Sequence, residues 1–222
     1  MDWASLRVSL SLGLWTVAIL FPVGVVCGRL LAYRRFPGKA VVEALVALPL
    51  VLPPTVFGYL LLVAFGAASP AGRLWQELFG QPLVFRFSGL LVASVILNLP
   101  FAIVPIQRSF EAIPRDLREA AASCGMAPKL VLRRIELPLA WPGILTAMVL
   151  SFAHTLGEFG VVLMVGGNIP GETRTIAIAI YDRVQAFDDV QAARMAALLL
   201  AVSLSAITIT YALSRRIGRR SG

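Results

Sequence analysis

Residues Glu119 to Pro138 read EAAASCGMAPKLVLRRIELP, a polar, cationic interlude between two hydrophobic runs. Pro114 and Asp116 supply helix-start chemistry just ahead of it. Leu117, Ala120, Ala121 and Cys124 then recur at the three- and four-residue spacing that shares one helical face. The spacing predicts a short amphipathic helix. Gly125 suits the left-handed backbone that ends such a helix, and Pro128 suits the first turn of a second one running through Leu130, Val131 and Leu132 toward Ile135. Pro138 then marks entry into the next apolar span. Two helices broken at a glycine and held at a membrane surface form a lever that another protein can push. The plainer alternative is an amphipathic helix lying flat among lipid headgroups, which Lys129, Arg133 and Arg134 also favour.

The runs on either side define the environment. Of 222 residues, 58% are hydrophobic and 14% charged, and the mean hydropathy is +0.82, too apolar for a soluble domain. The expectation is an all-α, polytopic membrane protein, one transmembrane domain over residues 1–222. Five stretches lack Asp, Glu, Lys and Arg for about the 20 residues a helix needs to cross a bilayer core: Ser9–Gly28, Ala44–Gly72, Phe87–Gln107, Leu137–Gly157 and Met195–Ser214. Five spans put the termini on opposite sides.

With the interlude on the inside, the inner segments hold Arg29, Arg34, Arg35 and Lys39, then Arg108, Arg115, Arg118, Lys129, Arg133 and Arg134, then Arg215, Arg216, Arg219 and Arg220. These are 14 of the 20 basic residues. The bias has the sign expected for an outside N terminus and an inside C terminus. The net charge of +8 is thus a topology signal. Its residues are dispersed around helix ends and form no basic face with stacking aromatics, so no nucleic-acid partner is expected. Asp2 precedes Arg7 and no Ala-x-Ala-like site closes the first run, which reads as a retained helix. Cys27 and Cys124 have no metal-ligand companion, and no metal site is expected.

Three further regions carry chemistry. LPLVLPPTVFGYLLL, from Leu48 to Leu62, has prolines at 49, 53 and 54 that force a kink or an unwound turn. Unwound backbone in a bilayer is buried in protein or lines water, so Pro53, Pro54 and Thr55 are pathway candidates, with a kinked packing helix as the alternative. The fourth span ends in SFAHTLGEFG, where His154, the only histidine, and Glu158 share a face. Counting from Leu137 at about 1.5 Å per residue places Glu158 near the outer surface, either in a gate with His154 and Gly157 or as an interfacial cap. The first span carries Gly24 and Gly28, a spacing that permits close helix approach, including approach to a second copy. Finally, GGNIPGETRTIAIAIYD predicts an outer loop followed by Ile176–Tyr181, too short to span. Asn168, Thr173, Arg174 and Thr175 are candidate contacts for an oxyanion there, though loop docking explains them equally well.

The interlude resembles the motif of importer-type ABC permeases: Glu-Ala-Ala, three residues, Gly, nine residues, then Ile-x-Leu-Pro. Every position of this EAA motif is filled, by Glu119, Ala120, Ala121, Gly125, Ile135, Leu137 and Pro138. The resemblance implies a type I ABC importer permease fold with a cytoplasmic coupling segment over about residues 111–138, whose first helix sits in a groove of an ATP-hydrolysing partner. The proline-rich second span and GEFG followed by NIPGETRTIAIAIYD are similar to molybdate permease subunits of bacterial ABC importers, over nearly the whole chain. Sulfate and tungstate permeases are similar too, and both substrates remain open.

That resemblance implies an inner-membrane homodimer embedded in lipid, two ABC ATPase subunits beneath it, and a periplasmic or lipid-anchored molybdate-binding protein above. ATP and Mg would be held by the partner ATPase, since this chain has no G-x-x-x-x-G-K-[ST] phosphate loop and no cofactor of its own is expected. A secondary transporter or channel would need buried ionisable groups or repeated broken-helix halves, and the spans offer only His154 and no repeat. A membrane enzyme would need a convergent catalytic set, which one histidine without paired carboxylates does not supply.

Overall fold

The computed structural model describes the backbone of residues 2–218, with side chains over 2–209 and at 212; Arg219 and Arg220 of the inner basic set lie outside the described residues, as do the side chains of Arg215 and Arg216. The described chain is helical throughout, with no strand. Among the described residues four helices are long and apolar enough to cross a membrane, five when a pair bent by 114° is taken as one broken span. The expected count of about five therefore holds.

Helix α1 (Trp3–Tyr33) starts where Asp2 accepts the Ser5 amide at 3.0 Å. Its buried residues include Ser9, Gly13, Thr16, Leu20, Gly24 and Gly28, a stripe of mostly small side chains at three- and four-residue spacing. Lipid tails are as apolar as leucine, so helices in a bilayer associate through close packing and hydrogen bonds rather than through exclusion of water. The small stripe provides that packing. A Cβ added at Gly24 would stand 2.8 Å from Ile106 Cδ1, and one at Gly28 would stand 3.0 Å from the Gln107 amide nitrogen. The glycine pair therefore seats α1 within the chain against α5 (Phe87–Glu111).

Between those helices the second span breaks. Helix α2 (Lys39–Val51) and α3 (Pro54–Phe65) meet at 114°. Leu52 and Pro53 each precede a proline, whose ring disfavours helical backbone in the residue before it, and both are extended, with ψ of 138° and 135°. Pro54 then fits the first turn of α3, where its missing N–H is not needed. The charge-free run beyond Phe65 is a separate short helix, α4 (Pro70–Phe79), which the sequence reading had merged with the span. Ser69 caps it by accepting the Gly72 amide at 2.9 Å.

After α5 come α6 (Arg115–Ser123), α7 (Pro128–Val131), a π turn (Leu132–Glu136) and α8 (Leu137–Gly157). Pro138 stands in the first turn of α8, the entry into the apolar span expected of it, although the helix runs on unbroken from Pro128 to Gly157. A proline there would clash with the carbonyl four residues back. The π turn, where the Leu137 amide reaches Leu132 O, precedes it and loosens that register. The chain ends with α9 (Gly160–Gly166), α10 (Ile176–Gln185) and α11 (Asp189–Gly218).

Helices α1, α5 and α8 form the centre, with Leu20, Ala102, Ile106, Phe110, Ile144 and Ala147 packed together. Contacts fix their directions. Thr16 meets Ser94 and Tyr33 meets Phe110, so α1 and α5 run parallel, while Arg29 meets Glu136 and Gly13 meets Phe152, so α8 runs against both. The Glu119–Pro138 interlude and the end of α1 consequently lie at one end of the bundle. At the other end, Phe85 N bonds Val165 O at 2.9 Å and Ile176 N bonds Ser9 Oγ at 2.8 Å.

Candidate functional site

The interlude Glu119–Pro138 takes the local helix geometry that its glycine and proline chemistry predict. Helix α6 closes in a Schellman arrangement: Met126 N donates to Ala121 O at 3.1 Å and Gly125 N to Ala122 O at 2.9 Å, with Gly125 at φ +71°. A Cβ at Gly125 meets nothing within 4 Å, so glycine is needed for its backbone angle and not for space. Glu119, Ala120, Leu117 and Cys124 are exposed, and only Ala121 of the predicted face is buried. Glu119 is held by Arg115 at 2.9 Å on the surface. Of the remaining motif positions, Ile135 and Leu137 are half-buried and Pro138 is exposed.

Glu136, the variable position of Ile-x-Leu-Pro, is a site the sequence reading missed. Its side chain is 1% exposed. Arg29 Nε of α1 lies 2.6 Å from its Oε2, and Arg118 Nε of α6 lies 3.5 Å from its Oε1. The Arg118 guanidinium also sits 3.6 Å above the Tyr33 ring, and Tyr33 donates to Phe110 O at 3.0 Å. The π turn adds a residue to the helical register and thereby aims this carboxylate inward. Local pattern gave no signal, because LRRIE reads as a solvated basic turn.

The pathway candidates converge in part. Helix α8 stops at Gly157, Glu158 takes an extended backbone, and α9 restarts at Gly160, so the fourth span is interrupted. Glu158 Oε1 caps the restart by accepting the Val161 amide at 2.9 Å. Helices α3 and α9 pack closely here: a Cβ at Gly160 would stand 2.9 Å from Pro54 Cβ, and one at Gly58 would stand 3.0 Å from Val161 Cα. The break at Pro53–Pro54 and the break at Glu158 are thus adjacent. Pro53, Pro54, Thr55 and Gly157 are exposed, and Glu158 is buried at 9%.

Below the break a buried polar ladder crosses three helices. Thr16 donates to Ser94 Oγ at 3.0 Å, and Asn98 Nδ2 donates to Ser94 O at 2.8 Å and to Thr155 Oγ1 at 3.1 Å. These bonds fix the Asn98 amide so that its Oδ1 faces His154 Nδ1, 3.1 Å away, which assigns the ring proton to Nδ1. His154 stacks on Phe101 with centroids 4.3 Å apart and presents Nε2 to Glu158 Oε2 at 3.9 Å. Asn98, fully buried, was also overlooked, although a lone amide in the middle of an apolar span is itself a signal.

This ladder corrects the depth expected for Glu158. Asn98 stands about 16 Å from the Phe87 end of α5 and about 20 Å from the Glu111 end. His154 shares its level. Glu158 is one turn further on, and the seven residues of α9 carry the chain about 10 Å more before Val165 meets Phe85. The carboxylate lies inside the bundle, short of its outer end, because α9 carries the chain on beyond it.

The outer-loop candidates bond to one another. Arg174 Nε donates to Asn168 Oδ1 at 2.6 Å, and Asn168 Nδ2 donates to Asp182 Oδ2 at 2.9 Å. Arg174 Nη2 lies 3.5 Å from the same carboxylate. Thr173 donates to Gly166 O at 2.7 Å, and Thr173 and Thr175 are buried. Asn168, Thr173 and Arg174 are thus engaged in docking the loop, whereas the buried Thr175 hydroxyl has no hydrogen-bond partner among the described residues. Among the described residues no cluster of three or more His, Cys, Asp or Glu side chains is placed to hold a metal.

An exposed short helix beside a packed bundle of membrane-spanning helices is the arrangement of an integral-membrane ABC permease, and the comparisons place the chain in that class. The chain belongs to the family described as binding-protein-dependent transport system inner membrane component, which matches residues 21–219, and it is a multi-pass protein of the bacterial inner membrane. It is 45% identical over 215 residues to the molybdenum transport system permease protein ModB of Azotobacter vinelandii, covering 97% of this chain and 95% of that one. Its counterpart in Escherichia coli K12 is 36% identical over 222 residues, covering 100% and 97%. The sulfate transport system permease protein CysT of Salmonella typhimurium is 32% identical over 197 residues, covering 89% of this chain and 71% of the other. Among solved structures, a bacterial ABC transporter that imports the acidic polysaccharide alginate superposes with a TM-score of 0.78 at 17% identity, covering 96% of this chain and 79% of that chain. The fold is that of type I ABC importer permeases.

Proposed function

We propose that this chain is the permease subunit of an ATP-driven importer of molybdate, acting as a homodimer with two ABC ATPase subunits on the α6 side and a molybdate-binding protein, periplasmic or lipid-anchored, on the opposite side. The observation that carries this reading is the exposed α6 with its Gly125 lever, in a chain whose similarity to molybdenum permeases runs end to end. The partner ATPase would hold ATP and Mg. The coupling segment would lie in the cytoplasm, as the distribution of arginines favours, which puts the N terminus outside and the C terminus inside.

In this reading, ATP binding draws the ATPase pair together, Glu119 and Ala120 ride in a groove of the partner, and the motion reaches the interrupted spans. The exposed Pro53–Thr55 and Gly157 segments are the candidate pathway, with His154 and Glu158 at its wall. Glu158 would repel a dianion, so affinity for the cargo would come from the binding protein and not from this chain. The test is uptake of labelled molybdate by proteoliposomes holding this chain with its ATPase and binding protein. ATP-dependent uptake blocked by tungstate but not by excess sulfate is the expected result. Uptake of sulfate in preference would transfer the assignment to the sulfate-type relatives.

A further inference from the structure

Four segments converge on one carboxylate at the coupling end of the bundle. Glu136 belongs to the π turn that opens the fourth span. Arg29, 2.6 Å away, belongs to the last turns of α1, and Arg118, 3.5 Å away, belongs to the coupling helix α6. Arg118 is held a second time by the Tyr33 ring, and Tyr33 in turn by the carbonyl that ends α5. No other contact of α6 has this character, since its remaining ion pair, Arg115 with Glu119, lies within the helix and is open to solvent.

Two features separate this joint from an ordinary surface bridge. The carboxylate is 1% exposed, so with water excluded its charge is balanced by these two arginines, and withdrawal of either leaves one of its oxygens without its cationic partner. The π turn gives that carboxylate an orientation that a regular helix would not, and such turns recur at functional positions. The joint is also asymmetric. Arg29 makes the shorter contact and its helix is fixed against α5 along its length, whereas Arg118 makes the longer contact from a short helix that is otherwise exposed.

We infer that Glu136 is a positioning residue for coupling: its carboxylate clamps Arg118 of α6 to Arg29 of α1, so that displacement of α6 turns α1 and the fourth span as one body. The inference rests on the importer reading above and adds the route by which motion enters the bundle. The exposed face of α6 receives the push, and the clamp carries it across to α1.

The test is made on the whole reconstituted importer, with ATP hydrolysis and molybdate uptake measured in the same proteoliposomes. Glu136→Gln is expected to retain hydrolysis while uptake per ATP falls by about fivefold or more, in the range of typical coupling energies. Arg118→Gln is expected to do the same, and Arg118→Lys, which keeps the charge, to recover part of the ratio. A purely structural role would lower assembly, hydrolysis and uptake together and leave the ratio unchanged. That result in either variant overturns the proposal. Should Glu136→Gln not assemble, Arg118→Gln, whose side chain is 35% exposed, decides alone, and failure of both to assemble would assign the cluster to assembly and overturn the clamp. Absence of any uptake by the unaltered importer would count instead against the importer reading.

Discussion

His154 Nδ1 lies 3.1 Å from Asn98 Oδ1, joining α8 to the midpoint of α5 through the one amide inside that span that reaches both Ser94 and Thr155. A bilayer offers no water to replace these bonds, so the ladder acts as a register pin: sliding α8 by one turn would strand several polar groups at once. The first expected outcome follows from this. Asn98→Ala should lower stability by about 1 to 2 kcal/mol, since it deprives three partners, while Thr16→Ala, at the end of the ladder, should cost about 0.6 kcal/mol. Thermal unfolding of the two purified variants in detergent checks the order; equal losses would show that Asn98 is not the hub.

Gly28 faces Ile106 Cγ2 at 2.9 Å from its hypothetical Cβ and the Gln107 amide at 3.0 Å, and the second of these is backbone that cannot rotate away. Gly28→Val is therefore expected to destabilise the single chain by about 1 to 3 kcal/mol through overpacking. Denaturant titration of the variant, with the oligomeric state of its folded fraction measured alongside, distinguishes this from a contact between copies. Loss of the oligomer with unchanged chain stability would contradict the intrachain packing of α1 on α5.

What the sequence made legible follows the reach of each signal. Gly125, Pro53 and Pro54 act on their own backbone, and each produced the local geometry its chemistry requires: φ +71° at the helix end, and two extended residues ahead of the prolines. The apolar runs were equally local, and Leu137–Gly157 matches α8 residue for residue. Glu136 was invisible because its burial depends on Arg29, 107 positions away, and nothing near LRRIE distinguishes a clamped carboxylate from a solvated one. Depth failed for a related reason. Counting from Leu137 took the end of α8 for the outer end of the bundle, whereas α9 continues past Glu158 and the level of α8 is set by the bond from His154 to another helix. The α4 boundary was present in the Ser69–Pro70 cap but was masked by a charge-free run continuing to Gly72.

Gly125→Pro combines two losses, the left-handed φ of +71°, which proline cannot adopt, and the amide that donates to Ala122 O at 2.9 Å. The substitution lies outside the spans, so insertion should be intact, while capture of the ATPase weakens and uptake is abolished. Gly125→Ala keeps the amide and pays only the left-handed penalty of about 1 to 2 kcal/mol, and should retain partial uptake. Co-purification of the ATPase with each variant, paired with uptake, checks the series. Normal coupled uptake by Gly125→Pro would remove the lever from the mechanism.

Gly160 is where the two interrupted spans touch, with its hypothetical Cβ 2.9 Å from Pro54 Cβ and 3.4 Å from the Thr55 amide nitrogen. The pyrrolidine ring and the backbone behind it have little freedom to yield, so a side chain here must push α3 away from α9. Gly160→Val is expected to act differently from Gly28→Val, because Pro53, Pro54 and Thr55 are exposed and can be displaced without opening the central core. Stability should fall by less than about 1.5 kcal/mol, near the lower end of overpacking costs, while uptake per ATP hydrolysed falls severalfold. A smaller substitution, Gly160→Ala, should recover part of that ratio. Measuring uptake and hydrolysis in the same vesicles checks the claim, and a variant with full uptake would show that the two breaks need not move in contact.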